Sequence, residues 1–102
     1  MANDVTTFVP SGLTVSIAAS TVSASVALNS GAALAGINVR VYNDGPALAF
    51  IKIGTGSATA GVTSIPLPVG AVELLSKATN DTFAAVTLSG TANVYFTPGN
   101  GN

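Results

Sequence analysis

The chain has 102 residues, of which 48% are hydrophobic and only 7% are charged, with a formal net charge of −1. Its three cations are scattered along the sequence, whereas binding to a phosphate backbone needs clustered Lys and Arg. Polar residues interrupt every apolar run before the roughly 18 residues that a membrane-spanning helix needs, so we expect neither nucleic acid nor a membrane among the partners.

The first ten residues show no apolar alternation and close with Phe8, Val9 and Pro10. We predict an extended N-terminal arm over residues 1–10 and a single β-sandwich domain over residues 11–102. The arm is expected either to bury Phe8 on a neighbouring subunit or to pack as an edge strand on its own domain. The beginning of the chain lacks the basic and apolar regions of a signal peptide, which predicts synthesis in the cytoplasm.

Period-two alternation is clearest at residues 13–19, where Leu13, Val15 and Ile17 share one side of a half-buried strand. Residues 22–28 repeat the pattern, with Val22, Ala24, Val26 and Leu28 expected to face inward. Further runs follow at residues 37–43, 47–54, 62–67, 71–76, 82–89 and 92–97. About eight short antiparallel strands, separated by Gly, Pro, Asn and Asp, predict an all-β sandwich or barrel.

Two segments compete with this all-β interpretation. Residues 69–78 contain good helix formers and offer a helix of two or three turns as an alternative. We favour a strand, because Pro66 and Pro68 hold the preceding backbone extended. Residues 31–36 are too short for an independent helix and are expected to form a loop.

The segment from Val39 to Gly54 has two alternating runs on either side of Asn-Asp-Gly-Pro, which predicts a β-hairpin. Its expected register places Ile37 opposite Ile53, Val39 opposite Ile51 and Val41 opposite Ala49, because only this parity turns both apolar sides to the core. The reverse face would then carry a candidate protein interface, formed by Arg40, Tyr42, Leu48, Phe50 and Lys52, with Phe8 of the arm as a further candidate. The alternative is that this face lies inside a second layer of the domain.

Residues that carry catalysis or bind metals are scarce. The chain has neither His nor Cys, and its carboxylates lie in separate predicted elements. Glu73 and Asp81 are the nearest pair, but Asn80-Asp81-Thr82 is more typical of a turn. Lys52 or Lys77 would need deep burial to act as a base, and Gly54-Thr55-Gly56 lacks the third glycine and the helix of a dinucleotide site. We therefore predict no enzyme activity, no catalytic or metal site and no cofactor.

Two residue-based observations bear on partners. The low charge is unusual for a free monomer but suits a subunit held in an assembly. With no Trp and only Tyr42 and Tyr95 as tyrosines, a stacking platform for sugars would be small. We predict an assembly protein, and a sugar-binding module stays an alternative.

Three segments together, NVRVYNDGPALAFIKIG, SIPLPVGAVELL and GTANVYFTPGNG, resemble small virion proteins of tailed bacteriophages. The resemblance implies a capsid decoration or cement protein with a jelly-roll-like fold. Such proteins associate as homo-oligomers, most often trimers, and clamp the major capsid protein or another virion protein. The resemblance further implies that the chain is a virion component, that it is made in the bacterial host cytoplasm and that it has no catalytic residues. The alternatives are a head–tail connector, a tail component, a self-polymerising tube or fibre subunit, or a receptor- or carbohydrate-binding adhesion module.

Overall fold

A computed structural model of the chain describes residues 8–10, 14–27, 37–78 and 80–100. These residues form nine strands and no helix, and hence none that is long and apolar enough to cross a membrane. The strands are β1 (Val9–Pro10), β2 (Val15–Ala19), β3 (Ala24–Ala27), β4 (Asn38–Pro46), β5 (Ala49–Gly54), β6 (Ile65–Leu67), β7 (Val72–Ser76), β8 (Thr82–Thr87) and β9 (Ala92–Asn100).

The strands form two antiparallel sheets. In the front sheet β4 lies between β7 and β9, and both β1 and β2 pair with the other edge of β9. The back sheet has the order β3, β8, β5, β6. Their apolar sides share one core, in which Phe83 of β8 stacks on Phe96 of β9 with ring centroids 4.6 Å apart. The predicted all-β sandwich is confirmed.

Each of the eight predicted runs contains a strand. The helical alternative for residues 69–78 is wrong, since Val72–Ser76 is strand β7 and its Leu75 packs against the core. The inward orientation of Ala24 and Val26 is confirmed, whereas Val22 lies in the turn before β3 and is 73% exposed. Residues 31–36, together with Leu13 and Leu28, lie outside the described residues.

The end of the predicted arm belongs to the domain. Val9 and Pro10 form β1, which pairs with Asn100 and Gly99 of β9. For these two residues the edge-strand alternative is therefore correct. Residues 1–7 lie outside the described part of the chain.

The predicted hairpin is wrong, because β4 and β5 lie in different sheets. Strand β4 pairs with β7 and β9, whereas β5 pairs with β6 and β8. The predicted parity is nevertheless right within the strands, since Val39, Val41, Ala49 and Ile51 are all fully buried in the shared core. The inward position predicted for Ile37 is wrong, because this residue precedes β4 and is 62% exposed. Alternation determines which side of a strand faces inward, but either sheet can supply that core.

A buried asparagine organises the crossing from β4 to β5. The Asn43 side chain is fully buried and donates to the carbonyl oxygens of Ala47, at 2.9 Å, and Leu67, at 2.8 Å. Its Oδ1 accepts from the Gly45 N–H at 2.7 Å. Gly45 has a positive φ of 83°, and a Cβ there would lie only 2.8 Å from Val69 Cγ1. These contacts bend the chain out of the front sheet instead of letting it return alongside β4.

Candidate functional site

The crossing between sheets divides the predicted interface. Arg40 and Tyr42 lie on the outer face of the front sheet, because they alternate with the buried Val39 and Val41. Phe50 and Lys52 alternate with the buried Ile51 and lie on the outer face of the back sheet. Leu48 lies in the connection and is 38% exposed. These five side chains therefore do not form one surface, and that expectation is wrong.

Phe50 is covered by its own chain. Its side chain is only 8% exposed and packs with Ala60, Ala84 and Val86 in a small second cluster. Ala60 belongs to the connection between β5 and β6, residues 55–64, which we call the covering segment. It is held in place because the Ala60 N–H donates to Ser23 Oγ at 2.9 Å. Phe50 thus fits the alternative of packing inside the domain, whereas Lys52 is exposed.

The outer face of the front sheet brings the two tyrosines together. Tyr42 of β4 lies directly opposite Tyr95 of β9, and their rings stack with centroids 6.3 Å apart and planes 21° apart. On its other side Tyr42 is paired with Val72 of β7, which is 46% exposed. This arrangement gives two adjacent aromatic rings beside an exposed aliphatic side chain.

The next row of the same face is centred on Arg40. This exposed residue pairs with Leu74 of β7 on one side and with Thr97 of β9 on the other. The Thr97 hydroxyl is hydrogen-bonded to the Thr14 hydroxyl at 2.8 Å. Arg40 therefore lies between a residue with an aliphatic side chain and one with a hydroxyl group, one row from the tyrosines.

Phe8 lies on the same outer side of the front sheet, next to Gly99. Gly99 of β9 is paired with Asn38 of β4, so a Cβ at Gly99 would point to the outer side of the front sheet. Such an atom would lie 2.5 Å from Phe8 Cζ, which shows that the Phe8 ring lies over Gly99 on that side. We call the resulting surface the tyrosine face and define it by Phe8, Arg40, Tyr42, Val72, Leu74 and Tyr95.

Arg40 and Asp44 are the charged residues on and beside the tyrosine face, and Asp44 is hydrogen-bonded to Tyr42. The Tyr42 hydroxyl donates to Asp44 Oδ1 at 3.1 Å. This hydrogen bond, together with the negative charge of Asp44, raises the pKa of Tyr42 above its ordinary value. Tyr42 is therefore a neutral aromatic residue at physiological pH, and Arg40 supplies positive charge close by.

The candidate catalytic residues are separated. Glu73 lies on β7 of the front sheet, whereas Asp81 precedes β8 of the back sheet. The Asp81 carboxylate accepts hydrogen bonds from the Gly56 N–H and the Thr82 hydroxyl, each at 3.0 Å, and these bonds lower the pKa of Asp81. These hydrogen bonds therefore connect the segment after β5 with the start of β8.

Of the two candidate lysines, only Lys77 is buried. Its burial lowers its pKa, and its Nζ donates to the Ala78 carbonyl oxygen at 3.2 Å. Lys52 borders a depression of about 480 Å³ whose polar lining includes Ser64, Ser76 and Asn80 but no carboxylate. The described residues contain no group of three or more acidic side chains that could hold a metal ion.

Comparison of the chain with family models, with curated proteins and with solved structures gives no match. The tyrosine face is therefore the feature of the molecule from which we infer function. Sequence reasoning selected Phe8, Arg40 and Tyr42 of this surface but missed Tyr95, Val72 and Leu74. The alternation in residues 92–97 predicts that Tyr95 faces outward, on the side of the strand opposite to Val94 and Phe96. No local sequence pattern, however, predicts that β9 pairs with β4.

Proposed function

We propose that this protein is a non-enzymatic subunit of a larger assembly and binds a neighbouring protein through the tyrosine face. The carrying observation is that Tyr42 and Tyr95 stack on an outer sheet face where Val72 is 46% exposed. The outer face of the back sheet differs, because Phe50 and its neighbours are covered by the covering segment.

The composition of the tyrosine face fits a protein partner. Tyr and Arg are enriched among the residues that contribute most to binding, since they combine a large apolar area with hydrogen-bonding groups. The face joins both types with Val72 and Leu74 on rigid strands, so little conformational entropy is lost on binding. With 7% charged residues, the chain depends on shape and apolar contact more than on electrostatic attraction.

Among assemblies, we propose the virion of a tailed bacteriophage, with this chain as a capsid decoration or cement protein. Support comes from the resemblance of three segments to such proteins. The strand order β2–β9–β4–β7 over β3–β8–β5–β6 supports the jelly-roll-like arrangement that the resemblance implies. The partner would be the major capsid protein or another virion protein, contacted over about 1,200–2,000 Å² in total. Binding only the assembled shell would stabilise it by mass action.

The experiment uses phage particles stripped of this protein and then incubated with the purified chain. The wild-type protein should co-sediment with the particles and raise the temperature at which they release DNA. The variant Y42A/Y95A should bind at least about 30-fold more weakly, as expected for the loss of a main anchor of an interface. Lys52→Ala, at an exposed position on the opposite side of the sandwich, is the matched control and should bind normally.

Two outcomes would contradict this proposal. One is full binding and protection by Y42A/Y95A. The other is electron microscopy that finds the bound protein on the particle with its tyrosine face turned toward solvent. Density at the neck or tail instead of the shell would retain the binding face but replace the decoration role by that of a connector or tail component.

A second candidate is binding of a glycan on the same face. The Tyr42 and Tyr95 rings are only partly buried, and an accessible aromatic ring is a group on which the apolar side of a sugar can stack. Arg40 and Asp44 lie beside the rings and offer hydrogen bonds to hydroxyl groups. Specific retention of a saccharide on a glycan array, abolished in Y42A/Y95A, would support this function over protein binding.

A further inference from the structure

The exposed edges of the two sheets differ in how they are protected against pairing with another strand. Edge strands commonly carry proline or an inward-pointing charge, since either discourages the addition of a further strand. Strand β6 contains Pro66 and strand β1 contains Pro10. On β7, Glu73 is paired with the fully buried Val41, so this charged residue lies on the inward side of the edge strand, where it remains exposed at the rim of the sheet.

Strands β2 and β3 have none of these features. Val15–Ala19 and Ala24–Ala27 contain no proline, glycine or charged residue, and residues 5–39 as a whole contain no charge. Among the described residues β2 pairs only with β9, and β3 pairs only with β8. Both edges lie on the same flank of the sandwich, because β2 and β3 are consecutive strands that contact each other.

We propose that β2 pairs with β2 of a second copy of this chain, antiparallel and about a two-fold axis at Ile17. Paired residues must have the same orientation, so inward residues can lie opposite only inward residues. Among the registers that satisfy this condition, the one centred on Ile17 pairs the whole five-residue strand. Val15 then lies opposite Ala19, and Ser16 lies opposite Ala18.

A second copy fits this edge better than a charged partner strand. The outward side chains Ser16 and Ala18 are small and exposed, and no like charges oppose each other in the symmetric pair. Pairing would join two front sheets into one continuous sheet and would place two tyrosine faces side by side. The result is a closed two-fold dimer, in contrast to the trimer that the resemblance implies.

This inference does not depend on the proposed function. Dimerisation would use the backbone edge of β2, whereas the proposed function uses side chains of the tyrosine face, so either can fail alone even though Ser16 is paired with Tyr95. Loss of dimerisation in β2 variants that still bind particles would separate the two, as would a normal dimer of Y42A/Y95A that no longer binds.

The first test is disulfide formation between two single-cysteine variants. The chain has no cysteine, so Ser16→Cys and Ala18→Cys each supply one thiol. In the proposed register Cys at 16 lies directly opposite Cys at 18 of the other copy, at a Cβ separation of about 4.5–5.5 Å. Two copies of the same variant place their thiols on a diagonal of about 7–8 Å, which is too long for a disulfide.

The equimolar mixture of the two variants should therefore give a covalent dimer on non-reducing gels under mild oxidation, and each variant alone should not. A cross-link of equal strength in either variant alone would contradict the axis at Ile17. No cross-link in the mixture at millimolar concentration would contradict the pairing.

The second test introduces charges at the same two exposed positions. S16K/A18K places two Lys–Lys pairs across the axis and should be a monomer by light scattering. S16K/A18E places two Lys–Glu pairs there and should restore the dimer. Ser76→Lys, on the protected edge of β7, is the control and should leave the dimer unchanged. A dimer that persists in S16K/A18K would overturn the proposal.

Discussion

The two outer faces of the sandwich both carry large apolar or aromatic side chains, but they differ in how far these side chains are exposed to solvent. On the back sheet Phe50, Ala84 and Val86 are at most 8% exposed, because the covering segment packs on them. On the front sheet the stacked Tyr42 and Tyr95 are only partly buried. An outward apolar residue is therefore structural where the chain returns over it and available for binding where the chain does not.

The difference also explains why one predicted patch contained both kinds of residue. Arg40 and Phe50 would be neighbours on a hairpin, but they lie on opposite outer faces of the sandwich. Variants at Phe50, Asn43, Asp81 and Tyr42 can test this division, and we expect their effects to decrease in that order.

Phe50→Ala should lower the free energy of unfolding by about 3 kcal/mol, since it removes a nearly buried ring and leaves a cavity under the covering segment. Val72→Ala on the tyrosine face is the comparison and should cost less than about 1 kcal/mol, because Val72 is already 46% exposed. Urea denaturation of both variants measures the difference. Equal losses would mean that the two faces are not distinguished by burial.

Asn43→Ala should lower the free energy of unfolding by about 2 kcal/mol, because it leaves two buried backbone groups and one partly buried one without their side-chain partner. The loss should affect both faces, since these bonds connect β4 with Leu67 of the back sheet. Asn93→Ala, at an exposed position of β9, is the matched control and should change stability little. Thermal unfolding of the two variants provides the measurement, and an unchanged Asn43→Ala would contradict the role of Asn43 as the link between sheets.

Asp81 should make the attachment of the covering segment sensitive to acid. The hydrogen bond from Gly56, at the start of that segment, is the main cause of the lowered pKa of Asp81, and Thr82 adds to it. A carboxyl group whose pKa is lower in the folded state stabilises the fold above its unfolded pKa of about 4, and this contribution is lost as the pH falls through the folded pKa. Urea midpoints of the wild type and Asp81→Asn should therefore differ at pH 6 and converge near pH 2. A constant difference would contradict this origin.

The smallest effect concerns the tyrosine face and is spectroscopic. In the Tyr95→Phe background only Tyr42 titrates, and its absorbance midpoint should lie above the ordinary tyrosine value of about 10. Adding Asp44→Asn should lower that midpoint, because it removes the carboxylate that keeps the phenol protonated. The associated stabilisation is present below the unfolded pKa and is lost as the pH rises through the folded one. An unchanged midpoint would show that Asp44 does not engage Tyr42.

Much of the fold followed from local patterns. The alternation of Val15 with Ser16, and of Val39 with Arg40, correctly assigned the inward and outward sides of their strands. Prolines before residues 69–78 correctly favoured a strand over a helix. The candidate site was only partly predictable, because Arg40 and Tyr42 could be recognised as outward residues whereas Tyr95, 53 positions later in the sequence, could not be recognised as their neighbour.

Local alternation was enough to predict where strands form and which side of each faces the core, because it depends on neighbours two residues apart. The three-dimensional fold was needed to establish which strands pair, which apolar face the covering segment closes and which pair of edges lacks protection. Those outcomes depend on contacts between distant segments, and β4 and β5 show why: both satisfy the same inward pattern, and the buried Asn43 helps to send them to different sheets.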